Sequence, residues 1–171
     1  MPRVLRIATL AGSFVVAGCW VPSDGYISAV EISKHGFERS ADDVRRLEDR
    51  DVRVWGFVDH GNLYGDAGVR RVLADYWSGE GPNPNTWRFG LKAAEDDPVG
   101  QSFPVHVRND AGRDALLATF RADAESGRPT RVFLRGRLRT YAAPTNYRSL
   151  TGIVIEVASS SAIDLGAPPG P

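Results

Sequence analysis

The stretch that decides the fold runs from Thr130 to Tyr141, T-R-V-F-L-R-G-R-L-R-T-Y. Apolar or small side chains alternate along it with charged or aromatic ones. One side carries Val132, Leu134, Gly136, Leu138 and Thr140, and the other carries Phe133, Arg135, Arg137, Arg139 and Tyr141. A period of two over this length predicts a β-strand with one buried face.

An earlier stretch, Val52–Val58 (V-R-V-W-G-F-V), has the same pattern. In both stretches two apolar residues, a glycine and another apolar residue occupy successive positions on one face. A glycine in the middle of a strand weakens a flat sheet, but it permits the tight bend that a small closed barrel needs. Two curved strands with matching inward faces therefore predict a barrel.

The other elements are predicted from periodicity and from turn residues. We expect five main strands, at residues 51–59, 86–93, 103–108, 130–141 and 150–157. A helix is predicted over Ala111–Ser126, ended by Gly127 and Pro129. Residues 59–66 are rich in Gly, Asn and Asp and predict a loop. The apolar spacing after that loop predicts a second helix over 68–77, with Val69, Val72, Leu73, Tyr76 and Trp77 on one side.

Five strands with a helix between the third and the fourth resemble the OB-fold, a Greek-key barrel. The first strand, the helix 111–126 and the fourth strand resemble those of bacterial OB-fold proteins of the cell envelope, and the resemblance covers residues 51–165. It implies a mainly β fold with a binding role. OB-folds bind oligonucleotides, oligosaccharides, peptides or proteins, so the fold alone does not choose among these ligands.

The N-terminus has the layout of a secretory signal peptide. Arg3 and Arg6 precede an apolar run over 7–17, as in exported proteins. Val16-Ala17-Gly18-Cys19 resembles the lipobox of bacterial lipoproteins. That resemblance implies that the chain is cut before Cys19 and that Cys19 carries a lipid. Trp20 follows instead of the Asp that retains many lipoproteins at the inner membrane, which favours the outer membrane.

These features predict a domain layout and an address. The layout begins with a lipoprotein signal peptide (1–18) and a tether (19–25). Residues 26–50 follow, with an N-terminal strand (26–33) and a helix that pack on the barrel. An OB-fold-like domain (51–165) and a disordered tail (166–171) complete the chain. The address is the bacterial cell envelope, where the lipid would anchor the protein to the outer membrane facing the periplasm. The 21 basic and 21 acidic residues balance, so no global charge attracts nucleic acid.

A candidate ligand face follows from the usual OB-fold binding surface, the outer side of the second and third strands with its framing loops. Its members are Arg53, Trp55, Phe57, Arg88, Lys92, His106, Arg108, Arg135, Tyr141 and Tyr147. Cations beside aromatic rings can hold a polyanion, stack on a sugar or base, or bind an acidic protein. Alternatively, these arginines are ordinary solvated side chains, and residues 26–33 cover Trp55 and Phe57. The sequence leaves both interpretations open.

No catalytic signature accompanies this face. The sequence has no G-x-S-x-G motif, no free cysteine once Cys19 is lipidated, and no Ser-His-Asp set in a supporting context. Asp59, His60 and Asp66 lack a recognised metal-ligand spacing. We therefore expect a non-enzyme without metal or cofactor, a binding or assembly module for another envelope protein. A periplasmic binder of an anionic oligomer (nucleic acid or acidic glycan) is the alternative, and a hydrolase with a site in residues 59–85 is a third.

Overall fold

The computed structural model describes residues 25–32, 48–66, 68–77, 83–99, 101–142 and 151–166. Its strands are β1 (Ile27–Ser28), β2 (Arg50–Tyr64), β3 (Thr86–Lys92), β4 (Ser102–Arg108), β5 (Arg131–Ala142), β6 (Thr151–Val157) and β7 (Ile163–Leu165). Its helices are α1 (Val69–Trp77) and α2 (Arg113–Glu125), with a 3-10 turn at Ser160–Ala162. In this described part of the chain, no helix has the length and apolar character needed to cross a bilayer.

Five of the strands close into a barrel. Strands β2, β3, β4, β6 and β5 are hydrogen-bonded in that order, and β5 returns to pair with β2. The β4–β6 pair is parallel, and the other pairs of the barrel are antiparallel. Helix α2 lies between the third and the fourth strand of the barrel. The predicted mainly β, OB-fold-like architecture is confirmed.

The two matching stretches of sequence are neighbours in the barrel. Val54 pairs with Leu134, and the glycine of each stretch pairs with a valine of the other, Gly56 with Val132 and Gly136 with Val52. Of the predicted inward residues, Val54, Val58, Val132, Leu134 and Leu138 are buried, and Val52, Gly136 and Thr140 are half-buried. The repeated pattern therefore marks two strands that run side by side in opposite directions.

Each of these glycines lies where its strand changes partner. Strand β2 pairs with β5 as far as Phe57 and with β3 from Phe57 onward, one residue after Gly56. Strand β5 pairs with β2 as far as Leu138 and with β6 from Arg137 onward, one residue after Gly136. A Cβ on Gly56 or on Gly136 would lie 2.6 Å from a backbone oxygen of the next strand. Only glycine admits that close approach.

Aromatic residues and α2 fill the barrel. The predicted inward side chains of β3, Trp87, Phe89 and Leu91, are fully buried. Phe120 of α2 has its ring centroid 5.4 Å from that of Phe89 and 6.2 Å from that of Trp87. Leu117 is the other fully buried residue of α2. The helix thus closes the barrel with two large side chains.

The predicted loop at 59–66 is mostly strand. Strand β2 continues to Tyr64, with a shift in its register against β3 between Asp59 and Leu63. The buried Asp59 carboxylate accepts hydrogen bonds from the Gly61 backbone N–H (3.2 Å), Asn62 Nδ2 (2.7 Å) and Ser102 Oγ (2.8 Å). The turn-forming residues therefore support a bulge within the strand and do not end it.

The N-terminal segment also differs from the prediction of a strand over 26–33. Strand β1 has only two residues, which pair in parallel with Val54 and Trp55 of β2, and residues 29–32 are helical. The helical turn buries Ala29 and Ile32 against the core of the barrel, which a continued strand would not allow. The predicted signal peptide and Cys19 lie outside the described residues, as do residues 33–47 of the predicted N-terminal region 26–50 and residues 167–171 of the predicted tail.

Candidate functional site

An open groove with a volume of about 1320 Å³ crosses the outer surface of the barrel where β2, β4, β5 and β6 lie side by side. The described residues that line it are Asp51, Val52, Arg53, Asn83, Asn85, Thr86, His106, Arg108, Asn109, Arg135, Gly136, Arg137, Glu156, Val157 and Ala158. Four of these residues are arginines and two are carboxylates, so the groove is cationic overall.

Charges alternate across the floor of the groove. Asp51 of β2 pairs in register with Arg137 of β5, Arg137 pairs with Glu156 of β6, and Glu156 pairs with His106 of β4. Residues that pair in register point to the same face of a sheet. The Nε atom of Arg137 lies 3.5 Å from Asp51 Oδ1. The floor therefore presents a row of negative, positive and negative charge next to an imidazole.

Additional arginines lie on both sides of this row. Arg53 of β2 is directly opposite Arg135 of β5, and like charges in that arrangement repel each other. Arg135 Nη2 lies 3.4 Å from the Ser161 carbonyl oxygen and 3.9 Å from Asp164 Oδ2, which offsets part of the repulsion. Arg108 is exposed on the opposite side of the groove, on β4.

The structure brings together four of the ten residues predicted for the ligand face, namely Arg53, His106, Arg108 and Arg135. Arg137 and the carboxylates of Asp51 and Glu156 also line the groove. The outward side of β5 includes Arg137 by the same alternation that identified Arg135. The two carboxylates, in contrast, join the site only because the barrel places β2 and β6 on either side of β5.

Arg88 and His106 were predicted to point outward and to be accessible on the ligand face, but both side chains are largely buried. Both residues are only 7% exposed. Arg88 Nη1 donates a hydrogen bond of 2.7 Å to Asp75 Oδ1 of α1, and its guanidinium lies 5.6 Å from the centroid of the Tyr64 ring. Arg88 therefore attaches α1 to the barrel and is not available to a ligand.

Asp75 is the centre of a buried ionic triad with Arg71 and Arg88. Arg71 Nε donates to Asp75 Oδ2 at 3.1 Å, and the side chains of Arg71 and Asp75 are 2% and 1% exposed. The other Arg71 donors reach the carbonyl oxygen and Oγ1 of Thr86 and the carbonyl oxygen of Asn83. A buried ion pair is stable when its remaining donors find partners in this way.

The apolar spacing of α1 suggests that its apolar side faces the barrel, but the ionic triad turns the opposite side of the helix toward the barrel. Val69, Val72 and Leu73 are 78%, 40% and 54% exposed, while the charged Arg71 and Asp75 face the barrel. The predicted helix is present, but its polar side is the buried one. The i,i+4 spacing of Arg71 and Asp75 was visible in the sequence, where it resembles an ordinary surface ion pair.

The aromatic members of the predicted face lie outside the groove. The Trp55 ring stacks on Phe133 at 6.3 Å between centroids, and Tyr26 contacts the edge of Phe133 at 5.5 Å. The Arg131 guanidinium covers Trp55 and Phe57, 5.4 Å and 5.3 Å from their ring centroids. The N-terminal segment thus takes part in an aromatic cluster on β2 and β5 through the contact of Tyr26 with Phe133, whereas Arg131 is the residue that covers Trp55 and Phe57.

Three further residues of the predicted ligand face, Lys92, Tyr141 and Tyr147, are not among the described residues that line the groove. Lys92 Nζ donates a hydrogen bond of 2.6 Å to the Glu95 carbonyl oxygen. Tyr141 is in β5, but its side chain is not among those that the structure describes, and Tyr147 lies outside the described residues.

His60 connects β2 to the segment between α2 and β5. Its Nε2 atom is 2.9 Å from Thr130 Oγ1, and the Thr130 hydroxyl donates to Asp123 Oδ2 at 2.7 Å. Burial lowers the pKa of His60, although the carboxylates of Asp123 and Asp59 oppose that effect. A neutral His60 that donates to Thr130 fits this arrangement, so the contacts of His60 and of Asp59 are explained by the fold.

Two solved structures are similar to this chain. The first, "OBody AM3L09 bound to hen egg-white lysozyme", has 18% identity over 70% of this chain and 84% of that chain, with a TM-score of 0.36. The second, "OBody AM2EP06 bound to hen egg-white lysozyme", has 22% identity over 70% and 82%, with the same TM-score of 0.36. No protein-family model and no curated protein matches the chain. The fold assignment therefore rests on the strand order and register of the barrel.

We predict that Asp75→Ala destabilises the protein by about 3–5 kcal/mol, because it leaves two buried guanidinium groups without their carboxylate. The matched control is Asp114→Ala, which removes a carboxylate that is 89% exposed and 3.4 Å from Arg113. The control should cost less than about 1 kcal/mol. Chemical denaturation measures both losses, and equal losses would contradict the structural role of the triad.

Proposed function

We propose that this chain is a lipid-anchored protein of the bacterial cell envelope whose barrel is a non-catalytic binding module for a partner protein. The lipobox-like residues 16–19 support the anchor. Trp20 supports the outer membrane, with the barrel facing the periplasm. The groove supports the binding role, since it is a large concave surface on a fold that commonly binds ligands on its outer face.

The observation that carries the choice of a protein partner is the row Asp51–Arg137–Glu156 across the floor of the groove. Nucleic acid and acidic glycans present charges of one sign, which Asp51 and Glu156 would repel. A protein surface presents both signs and can place a basic side chain beside Glu156. Complementary patterns of this kind exclude wrong partners and fix the register of the right one.

The arginines beside this row define what the partner offers. Arg108 is exposed and can donate paired hydrogen bonds to a carboxylate, and Arg53 and Arg135 add positive charge to the same groove. Arginine is also among the residues that dominate binding energy at protein interfaces. We therefore propose a partner segment whose acidic side chains meet these arginines and whose basic side chain meets Glu156.

Two observations support a non-catalytic role. The Asp59 carboxylate accepts three hydrogen bonds that hold the bulge in β2, and His60 is bonded to Thr130. A hydrolase with its site in residues 59–85 would depend on the side chains of Asp59 and His60. Both have structural roles that need no substrate.

The anionic-oligomer alternative is favoured by one observation, the direct opposition of Arg53 and Arg135. A bound anion would relieve the repulsion between the two guanidinium groups. The two proposed ligands, a partner protein and an anionic oligomer, therefore differ in their interaction with Glu156. Its carboxylate attracts a basic side chain of a protein but repels a polyanion.

The anchor predicts that Cys19→Ser leaves the protein without lipid and releases it from the membrane fraction. Mass spectrometry of the wild-type N-terminus and cell fractionation measure this directly. A wild-type protein that keeps Met1 and lacks lipid would contradict the proposed anchor.

The groove predicts that Arg53→Ala and Arg108→Ala each weaken binding of the partner by about tenfold, equivalent to about 1.4 kcal/mol. The partner is first cross-linked in the native envelope, identified and purified, and its dissociation constant is then measured with each variant. Arg128→Ala is the control, since this side chain is 69% exposed on the connection between α2 and β5. An equal effect of all three variants would contradict the groove as the binding surface.

Glu156→Gln separates the two candidates. The substitution should weaken binding of the partner protein, because it removes the carboxylate that meets a basic side chain. It should instead tighten binding of single-stranded nucleic acid or of an acidic glycan, whose negative charge Glu156 repels. Saturable binding of such a polyanion at moderate salt, tightened by Glu156→Gln, would overturn the protein-partner proposal.

A further inference from the structure

Helix α1 exposes apolar side chains to solvent and buries charged ones. Val69, Val72 and Leu73 occupy positions i, i+3 and i+4 and therefore share its outer side. Their side chains are 78%, 40% and 54% exposed, respectively. A helix on the surface of a globular protein usually has the opposite arrangement. A cluster of exposed apolar side chains of this kind marks a surface for interaction. We call these three residues, with the exposed Arg70 beside them, the α1 face.

The orientation of the α1 face is fixed by the ionic triad. Rotating Val69, Val72 and Leu73 toward the barrel would expose the other side of the helix and separate Asp75 from Arg71 and Arg88. Breaking a buried ion pair costs several kcal/mol, and the rotation would also break the hydrogen bonds of Arg71 to Asn83 and Thr86, which opposes the gain from burying three partly exposed aliphatic side chains. The apolar side chains are thus a permanent part of the surface.

The charge of the α1 face is complementary to anionic lipid. Asp75 is the only carboxylate of the helix, and it is buried under the helix with Arg71 and Arg88. Arg70 is exposed beside the apolar residues. The sequence continues the same spacing with Tyr76 and Trp77, residue types that are enriched at the interfaces of membranes. Arg70 is thus the exposed charge of this described helix, and apolar side chains next to a cationic one are found in helices that lie in the headgroup region of a bilayer.

The proposed lipid anchor, on which this inference rests for proximity alone, would keep the barrel close to a bilayer. Only residues 20–24 separate Cys19 from Gly25, the first described residue. Six residue steps span at most roughly 20 Å. A second weak contact gains strongly from such tethering, because its binding becomes intramolecular.

We propose that the α1 face is a second membrane contact of this protein. Val69, Val72 and Leu73 enter the interfacial region of the bilayer, and Arg70 contacts anionic headgroups. The acyl chain and α1 together fix the orientation of the barrel on the membrane. A single point of attachment would leave the orientation of the groove on the membrane undefined, whereas two contacts define it.

The test uses two labelled forms of the full-length, acylated protein. Val69→Cys and Val99→Cys place a thiol at valines of nearly equal exposure, 78% and 73%, the second in the connection between β3 and β4. The chain has no cysteine besides Cys19, so each new thiol is labelled alone with an environment-sensitive fluorophore. The proteins are reconstituted in vesicles of phosphatidylglycerol and phosphatidylcholine that carry brominated acyl chains, which quench fluorophores inside the bilayer.

We expect the label at residue 69 to be quenched and the label at residue 99 to remain unquenched. Arg70→Glu, or vesicles of phosphatidylcholine alone, should reduce the quenching at residue 69. Equal quenching at both positions would overturn the proposal, since the tether alone would explain it. A response at residue 69 that depends on protein concentration and not on lipid would overturn it in favour of a second copy of the chain.

The same experiment distinguishes failure of the anchor from failure of the α1 face. Mass spectrometry that finds Cys19 unmodified would contradict the anchor. The two labels are then placed in a Cys19→Ser chain and exposed to added vesicles. Quenching confined to residue 69 would still support the membrane contact, and its absence would contradict it.

Discussion

The structure depends on two positions where no side chain can be present, Gly56 and Gly136. A Cβ at either position would lie 2.6 Å from a backbone oxygen of the adjacent strand, a distance that real Cβ atoms do not tolerate. Both glycines lie next to the point where a long strand leaves one neighbour for another. This close approach lets β2 and β5 bend enough to close five strands into a barrel.

The groove depends on the same corner. Gly136 is one of its lining residues, and the next residue, Arg137, pairs on one side with Asp51 of β2 and on the other with Glu156 of β6. The alternating charges on the floor are thus brought together by the bend in β5. The fold and the proposed binding surface consequently share one constraint, because a barrel that did not close at Gly136 would separate these three side chains.

The sequence predicted those features that depend on local periodicity. Alternation along β5 identified which side chains point inward, and the repeated pattern around Gly56 and Gly136 predicted that Val54 and Leu134 lie on the inward faces of two barrel strands, where both are buried. Features that depend on contacts between distant segments were not predictable. The burial of Arg88 requires α1, which comes from the long connection between β2 and β3, and the charges that attach α1 to the barrel look like surface charges in the sequence. The groove likewise combines residues from strands whose adjacency only the closed barrel establishes.

The most direct test of this account compares Gly136→Ala with Gly68→Ala. Gly68 has no atom within 4 Å of a Cβ placed on it and no left-handed backbone angle. Alanine there meets no steric contact, and because Gly68 directly precedes α1, where glycine is preferred over alanine, it should cost at most about 1 kcal/mol. Alanine at 136 should cost about 1–3 kcal/mol, the usual penalty for forcing an atom into a filled space. It should also shift the amide resonances of Arg137 and Glu156. If the free energy of unfolding of Gly136→Ala equalled that of the wild-type protein, the close approach at Gly136 would not be what closes the barrel.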